Sequence, residues 1–480
     1  MINNSGANGW GPQRIIGIKI EFHLFFISLL LFGPNLLFLD TEALTVTCGE
    51  SDNSIRLQTP HPDLTPAERL HELAAILAHH GIDEWDVYGD FHKSTADNDH
   101  SFLRNFEAEV ANEFGKDDAV FMPSGVMAQS IALLIHYQDQ QQRGTPKKKC
   151  FACHPTSHLL LHEEKGFKEL CGFDAIPIHS SNHDNIGVGL GAPPMLLEHL
   201  QKTDLDDVST LILELPHREL GGKLTPWEDV LQIQQRVRNK GTAFHCDGAR
   251  IFEATAGYQQ SLAELAEPFD SFYISFYKGL GGMSGAMLMG TSEFCDQARV
   301  WLRRFGGNLF TLLPYVASAW VGYQRHWKLM EPTIAVGDDN NDRDVLLSFS
   351  EKREKLVRIV QRLTSTPEGR ATDFAKIACF EPNIPQVSMV HLYLRPTVDE
   401  CQGYRDAVQA HGGVCLFHRI RPVDENSIGF QQGYRSMVEI SIGQANGGIP
   451  DDVWVEAWSE FAHHAMKQLS FTSSADENLE

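Results

Sequence analysis

Short apolar runs alternate with amphipathic helical segments through the middle of this chain, and that alternation limits the fold more than any other feature. The strand candidates are residues 119–122, 210–215, 242–246, 271–275 and 286–289. Amphipathic segments such as residues 227–239 separate several of them. Strands and helices in this order form a mostly parallel sheet with helices on both faces. We therefore predict an α/β fold.

Local sequence signals indicate where the folded units begin and end. A capping box, Thr65-Pro66-Ala67-Glu68, begins the first clear helix, and Gly81 ends it. Residues 337–344 are rich in Gly, Asp and Asn and precede a long charged helix. The predicted units are an N-terminal extension (1–50), a large domain (51–336), a smaller C-terminal α+β domain (337–470) and a disordered tail (471–480).

The N-terminal region contains an apolar stretch of uncertain use. Residues 22–39 are nearly all apolar and follow Arg14 and Lys19, the order found in signal peptides and membrane anchors. Gly33-Pro34-Asn35 interrupts the stretch. Three interpretations stay open: a signal or anchor, a nonessential or mis-assigned extension, and a packed core segment.

Charge and cysteine content narrow the functional class. The chain has 40 Lys and Arg against 63 Asp and Glu, a formal net charge of −23. We predict no nucleic-acid binding, because a phosphate backbone must be neutralised by clustered cations. Nine cysteines spread over 480 residues predict reduced thiols and a cytoplasmic protein. The alternative is the secretory pathway, or a membrane anchor through residues 22–39.

Two residues at the ends of candidate strands point to chemistry. Asp247 ends an apolar run, and ligands of open α/β sheets lie outside the carboxyl ends of strands. Lys278 follows the next run, and the glycines at 279, 281 and 282 let backbone approach it closely. A lysine buried in such a place has a lowered pKa and is suited to forming a Schiff base. Taken alone, Lys278 would more simply be an exposed loop residue.

A third feature is the segment Met122-Pro123-Ser124-Gly125-Val126, which is typical of a strand, a tight turn and the start of a helix. Free backbone N–H groups at a helix N-terminus bind phosphate. Turns of this kind are also common without a ligand, so the inference depends on its combination with Asp247 and Lys278.

These segments resemble those of the L-threonine aldolase and β-eliminating lyase group of enzymes, which use pyridoxal phosphate (PLP). The matching motifs, in the family's order, are Val120 to Gly125, Ser157-His158, Glu214 to His217, Asp247 to Arg250, Lys278 to Gly281 and Gly306-Gly307. The resemblance covers residues 86–318 and implies PLP fold type I. That fold has a mostly parallel, seven-stranded type of sheet in a large domain and a smaller C-terminal α+β domain.

The resemblance also implies a role for each site residue. Lys278 would hold PLP as a Schiff base, Asp247 would pair with the protonated pyridine nitrogen, and the catalytic His158 would stack on the ring. Arg250 would lie near the 3′-oxygen of PLP and the substrate carboxylate, and Arg435 would bind that carboxylate unless it is an ordinary surface arginine. The residues implied to hold the phosphate are Ser124, Gly125, Val126 and Ser275. No metal site is predicted.

The implied activity is cleavage of a threonine-like β-hydroxy-amino acid to glycine and an aldehyde. His158 or an ordered water would take the proton of the β-hydroxyl. β-Elimination or racemisation on the same scaffold stays open, as does a non-catalytic binding or regulatory homologue. A small amino acid is the expected substrate, and a homodimer or homotetramer is the expected assembly.

Three departures from the family pattern weaken the substrate assignment more than the cofactor assignment. Val126 stands where the family has a threonine, so a hydroxyl donor is lost while the backbone N–H is kept. Residues 308–311 read Asn-Leu-Phe-Thr where the aldolases have Gly-Met-Arg-Gln. The family's N-terminal Asp-Leu-Arg-Ser-Asp-Thr segment is not recognisable.

Other motifs compete with this interpretation. Cys150-Phe-Ala-Cys153-His154 matches a haem-attachment pattern and, with His158, a set of zinc ligands, although core thiols are the simpler interpretation. His162 lies four residues after His158 and is expected to be structural. His245 either supports the site or is simply buried. The pair Glu214 and His217 is expected either to support the site residues or to hydrogen-bond within the rim of the sheet, rather than to take part in the chemistry.

Overall fold

The strands in the described part of the chain form three sheets. The structure, a computed structural model, describes residues 44–45, 54–62, 64–82, 85, 101–144, 147–178, 189–330, 346–365 and 370–476. The strands are β1 (Leu44–Thr45), β2 (Ile55–Arg56), β3 (Asp118–Met122), β4 (Cys150–Cys153), β5 (Asp174–Pro177), β6 (Thr210–Glu214), β7 (Ala243–Gly248), β8 (Ser271–Ser275), β9 (Ala286–Gly290), β10 (Ala378–Glu381), β11 (Met389–Leu394), β12 (Val414–Cys415), β13 (Arg419–Pro422) and β14 (Ser436–Ser441).

Helices connect most of these strands. They are α1 (Pro66–His79), α2 (Phe102–Glu113), α3 (Gly125–Gln142), α4 (His158–Leu161), α5 (Gly166–Glu169), α6 (Leu197–Gln201), α7 (Trp227–Asn239), α8 (Ile251–Tyr258), α9 (Leu262–Ala266), α10 (Ser292–Arg304), α11 (Leu313–His326), α12 (Phe349–Ser365), α13 (Arg370–Ile377), α14 (Val398–Gly412), α15 (Ile428–Gln431), α16 (Gln444–Gly447) and α17 (Asp451–Asp476). The predicted capping box at α1 is present, because Thr65 and Glu68 exchange hydrogen bonds.

The largest sheet has seven strands in the order β3-β9-β8-β7-β6-β4-β5. Its central strands pair in parallel, and β9 runs antiparallel to both of its neighbours. Neighbouring parallel strands must be joined by a crossover connection, usually a helix. Such crossovers are almost always right-handed. The predicted α/β class, with a mostly parallel seven-stranded sheet, is confirmed.

Side chains of the large sheet alternate between two buried faces. On one face Phe121, Phe244 and Phe272 pack in a core with α2 and α7. On the other face Val120 and Tyr273 pack against α3 and α10. This second side is called the α3 face below. Burial on both sides explains why these strands read as continuous apolar runs rather than as alternating ones.

A buried charge cluster ties α2 to the edge of this sheet. Glu107 is 1% exposed, and its carboxylate accepts hydrogen bonds from Arg104 Nη1 (2.6 Å) and from the backbone N–H of Phe121 (2.7 Å). Arg299 Nη2 lies 3.4 Å from the same carboxylate and also binds Asp118. A buried carboxylate is tolerated when it is paired and hydrogen-bonded in this way.

The C-terminal part is built on a smaller, antiparallel sheet with the order β1-β13-β14-β11-β10. Its core contains Trp454 and Trp458 of α17, with α12 and α13 packed alongside. These features match the predicted α+β character. The predicted boundary at residue 337 lies outside the described residues, so it stays a prediction. Helix α17 continues to Asp476, inside the segment expected to be a tail.

The helices and the cysteines both bear on the predicted cellular location. Within the described ranges, none of the helices combines the length and the apolar character needed to cross a bilayer. The apolar stretch 22–39 lies outside those ranges. Among the described residues seven cysteines are free, but Cys415 is disulfide-bonded, so the prediction of reduced thiols is wrong at that residue.

Candidate active site

Three polar residues lie in register on adjacent strands, on the α3 face of the large sheet. Glu214 of β6 is the register partner of Asp247 of β7, and Asp247 is the register partner of Tyr273 of β8. Parallel strands bring their carboxyl ends to one edge of a sheet, where ligands of open α/β folds lie. The row Glu214, Asp247 and Tyr273 therefore marks the candidate site.

Asp247 is the buried carboxylate at the centre of that row. It is 2% exposed, and its Oδ1 accepts a hydrogen bond from the backbone N–H of Ala249 (3.1 Å). Burial and the neighbouring Glu214 raise the pKa of Asp247 to about 6, while Lys278 and His158 act in the opposite direction. A cation placed beside this carboxyl would return it to the ionised form.

Lys278 lies in the loop between β8 and β9, as the sequence predicts. Burial, and then the Arg250 guanidinium, lower the pKa of Lys278 to about 8. No residue in the described ranges accepts a hydrogen bond from its Nζ. The loop needs its glycines: a Cβ on Gly279 would lie 2.5 Å from Glu253 Oε1, and Gly281 has φ +67°. The result is a partly neutral amine held by a tight loop.

The segment Ser124–Val126, called the phosphate turn below, begins helix α3. Ser124 is the N-cap residue, and its hydroxyl accepts a hydrogen bond from the backbone N–H of Met127 (3.4 Å). The N–H groups of Gly125 and Val126 have no acceptor within the helix, because they belong to its first turn. They are available to an anion.

His158 begins the short helix α4, after β4. Its Nδ1 lies 3.0 Å from Glu163 Oε1, and its backbone N–H lies 3.4 Å from Glu214 Oε2. About a third of the side chain is exposed. Because Glu163 can only accept, Nδ1 is the donor, and in the neutral imidazole Nε2 is then the acceptor. His162, predicted to be structural, binds Glu219 (3.0 Å).

Two further polar groups near this edge lack partners. Ser275 is 1% exposed, and its hydroxyl finds no hydrogen-bond partner among the residues that the structure describes. The Arg250 guanidinium likewise forms no ion pair with any of them. A buried hydroxyl without a partner in the protein is completed by water, an ion or a ligand. An unpaired hydroxyl, an unpaired guanidinium and the open phosphate turn fit a cofactor that carries a phosphate and a substrate that carries a carboxylate.

The structure does not bring Arg435 into this group. Its Nη1 donates to the backbone carbonyls of Phe430 (2.9 Å) and Tyr434 (3.1 Å), and the guanidinium stacks on the Phe430 ring at 4.0 Å. Both hydrogen bonds come from Nη1, and the stacking holds the guanidinium against Phe430. A carboxylate-binding role for Arg435 stays a prediction.

Sequence reasoning missed Arg218, which lies between the large sheet and the small one. Arg218 Nη1 donates to Glu219 Oε1 (2.6 Å), and Nη2 lies 3.0 Å from Glu439 Oε2. Arg218 is also among the cations that lower the pKa of Lys278. Its position directly after the Glu214 to His217 motif was the available signal.

The small sheet supplies the other half of this charged cluster. Glu439 of β14 faces His391 of β11 in register, and Arg421 of β13 binds Glu219 (3.0 Å). Burial alone would raise the pKa of Glu439, but Arg218 and His391 hold it below its usual value. The charges contributed by β13 and β14 could not be assigned from sequence, because they depend on how the two sheets pack.

The competing metal and haem motifs have ordinary surroundings. Cys150 and Cys153 are buried free thiols, and burial raises the pKa of Cys153 to about 12, which disfavours the thiolate. In the described ranges no group of three or more His, Cys, Asp or Glu side chains could hold a metal ion. His245 is fully buried and hydrogen-bonds Ser271 (2.6 Å) and Gln129 (2.8 Å).

Comparison with known proteins gives concordant matches. The sequence model of the family described as beta-eliminating lyase matches residues 89–361. The probable low-specificity L-threonine aldolase 2 of Arabidopsis thaliana is 29% identical over 295 residues, which are 61% of this chain and 76% of that protein.

Solved structures share the fold. A proposed L-allo-threonine aldolase from Listeria monocytogenes is 28% identical with a TM-score of 0.67, over 85% of this chain and 95% of that one. A structure named as SPT with PLP is 14% identical with a TM-score of 0.53, over 86% of this chain and 88% of that one, a likeness of fold alone. The predicted fold class, PLP fold type I, is confirmed by these likenesses.

Proposed function

The chain belongs to the beta-eliminating lyase family, and from this premise we propose that it is a PLP-dependent lyase that cleaves a threonine-like β-hydroxy-amino acid to glycine and an aldehyde. The observation that carries the proposal is the convergence of Lys278, Asp247 and the phosphate turn at one edge of the large sheet. Each of the three is common by itself, and PLP is a group that requires all three together.

PLP would be held at both ends by residues of this chain. Lys278 would bind its aldehyde carbon, and Asp247 would face its ring nitrogen. Ser124, Gly125, Val126 and Ser275 would hold its phosphate. The negative charge of Asp247 keeps a ring nitrogen protonated because it stabilises the cationic form. When bound, PLP supplies an electron sink for the pair of electrons left on Cα when a bond to Cα breaks.

Orientation of the substrate falls to cationic side chains. We propose Arg250 as the main partner of the substrate carboxylate, since its guanidinium is unpaired within the described ranges and lies close enough to influence Lys278. Arg435 is kept as a second candidate from the family resemblance. Arg218 would contribute positive potential while its own ion pairs hold it in place.

His158 is proposed as the general base for the β-hydroxyl. Glu163 fixes the imidazole through Nδ1, so Nε2 is the acceptor. Loss of the hydroxyl proton to Nε2 accompanies rupture of the Cα–Cβ bond and formation of the aldehyde. Glu214 accepts a hydrogen bond from the backbone N–H of His158 and would thereby fix the position of His158 in the site.

Release of aldehyde from three substrates tests this function. The full-length protein, loaded with PLP, is offered L-threonine, L-allo-threonine and phenylserine, and aldehyde formation is followed by a coupled reduction. We expect cleavage of at least one of them, and no cleavage by Lys278→Ala. Reaction only with amino acids that lack a β-hydroxyl would favour β-elimination or racemisation. Failure to take up PLP would favour a non-catalytic homologue.

The expected assembly is also a proposal. We expect a homodimer or homotetramer, because enzymes of this fold type commonly form their active sites at subunit interfaces. Mass measurement in solution by light scattering tests it directly.

A further inference from the structure

The phosphate turn lacks a hydroxyl that the family pattern supplies. Val126 stands at the position of a threonine, and its side chain offers no hydrogen bond. A phosphate dianion accepts several hydrogen bonds, and those it makes to uncharged donors in a buried site are charge-assisted. If PLP binds here, another donor near the turn would compensate for the missing hydroxyl.

Tyr273 places a hydroxyl against this turn. The residue is in the middle of β8, and its side chain lies on the α3 face, toward the N-terminus of α3. A Cβ built on Gly125 would lie 2.0 Å from Tyr273 Oη and 2.5 Å from its Cζ. The end of the phenol therefore rests on the Cα of Gly125, and only glycine fits between them.

The surroundings keep this phenol in its protonated form. Tyr273 is 3% exposed, and burial raises its pKa, as do Tyr277, Asp247 and Glu163. Its hydroxyl shares a side-chain hydrogen bond with Tyr277, so a phosphate at the turn would take the place of Tyr277 as the acceptor or share the hydroxyl with it. A protonated phenol is a hydrogen-bond donor at every pH at which the protein is folded. Its other neighbours, Val120 and Ala128, belong to an apolar cluster that fixes the ring.

We propose that Tyr273 donates a hydrogen bond to the phosphate of the cofactor and so replaces the hydroxyl that Val126 lacks. The proposal rests on the proposed function, because it requires that PLP binds at the phosphate turn. It also explains why Gly125 is needed: any side chain at that position would push the phenol away from the turn. Tyr273 was assigned from sequence only to a strand core, and its site role follows from its register with Asp247.

Tyr273 could instead support Asp247, its register partner. The two roles predict different effects of a Tyr273 substitution on the affinities for PLP and for pyridoxal. A phosphate contact affects PLP but not pyridoxal, which has the same ring and aldehyde without the phosphate. Support of Asp247 affects both, because both carry the ring nitrogen.

The test compares the affinities of full-length apoprotein variants for PLP and for pyridoxal, measured by absorbance titration. For Tyr273→Phe we expect the Kd of PLP to rise about tenfold, as expected for the loss of one hydrogen bond to a charged group. The Kd of pyridoxal should stay within about twofold of the wild-type value. Tyr404→Phe is the control: it removes a partly buried phenol hydroxyl that binds Gln468 between α14 and α17, and it should change neither value.

A second substitution that restores PLP affinity makes the test independent of folding defects. Val126→Thr, added to Tyr273→Phe, should return the Kd of PLP to within about threefold of wild type, because it restores a hydroxyl to the turn. Unchanged PLP affinity in Tyr273→Phe, or equal losses for PLP and pyridoxal, would overturn the inference while leaving the proposed function intact. A wild-type protein that binds no PLP would overturn both.

Discussion

Glu214 and Asp247 are register partners on the adjacent parallel strands β6 and β7, so two buried carboxyl groups end neighbouring strands on the same face of the sheet. Only one of them can face the ring nitrogen of a bound cofactor. Glu214 already accepts backbone hydrogen bonds from His158 and Arg218, whereas Asp247 accepts one from Ala249. Asp247 is therefore the better ring partner, and Glu214 the residue that positions His158.

Exchange of each carboxyl for its amide separates these roles. Asp247→Asn should lower kcat by about a hundredfold or more, because the charge that keeps the ring nitrogen protonated is lost. Glu214→Gln should lower kcat by about tenfold or less, since a neutral amide oxygen still accepts one hydrogen bond. Steady-state kinetics with the preferred substrate measure both. A Glu214→Gln variant as impaired as Asp247→Asn would reverse the assignment.

The lowered pKa of Lys278 predicts how cofactor uptake depends on pH. The neutral amine attacks the aldehyde of PLP, and a pKa of about 8 makes that form accessible near neutral pH. Between pH 7 and pH 8 the rate of PLP capture by apoprotein should rise about fivefold, and it should level off above about pH 9. Stopped-flow absorbance follows the reaction. A rate that keeps rising about tenfold per pH unit up to pH 10 would indicate an ordinary exposed lysine.

Two arginines compete for the substrate carboxylate, and their surroundings predict unequal effects. Arg250→Leu should raise KM at least about tenfold, because an unpaired guanidinium is lost. Arg435→Leu should leave KM within about twofold and lower the unfolding midpoint, since its guanidinium is hydrogen-bonded to the carbonyls of Phe430 and Tyr434. The opposite ranking of KM values would restore the role that the family resemblance gives to Arg435.

Much of the fold follows from local sequence signals. The alternation of apolar runs and amphipathic helices indicates the parallel sheet, and Thr65 with Glu68 begins α1 as its pattern predicts. Short strands were harder to find: β5 reads Asp-Ala-Ile-Pro, and β13 reads Arg-Ile-Arg-Pro, with charged or proline residues at their ends. Pairing with neighbours, rather than intrinsic preference, makes these segments strands.

Some residues of the candidate site could be predicted from sequence motifs, and others could not. Lys278, Asp247 and the phosphate turn are each visible as a short motif next to a strand end. Tyr273 and Arg218 are not, because their positions depend on register between strands and on packing of the small sheet against the large one. His245 lies two residues before Asp247 on β7 and therefore on the same face, and its partner Gln129 lies on α3.

The buried Glu107 cluster should matter for stability and not for the cofactor. Glu107→Gln removes the charge that pairs with Arg104 and Arg299, and it should destabilise the protein by about 3 kcal/mol. Urea unfolding followed by tryptophan fluorescence measures the change, and the Kd of PLP serves as the readout that should stay constant. The exposed pair of Lys148 and Asp207 offers the control, because Lys148→Ala should leave the midpoint almost unchanged. A normal urea midpoint in Glu107→Gln would show that the cluster is dispensable.

The central claim is that Lys278 carries the cofactor. Another buried lysine, Lys352, could in principle be labelled instead. Lys352 is also buried, and burial lowers its pKa to about 8, yet it lies in α12, over the ring of Phe349, rather than at the end of a strand. A chemical test must therefore identify the residue and not merely detect binding.

Borohydride reduction of the PLP-loaded protein, followed by digestion and mass spectrometry, identifies the lysine that held the cofactor. We predict a phosphopyridoxyl group on Lys278, together with a visible absorption band that disappears in Lys278→Ala and persists in Lys352→Met. A label on Lys352 or another lysine, or no label on any peptide, would contradict the account.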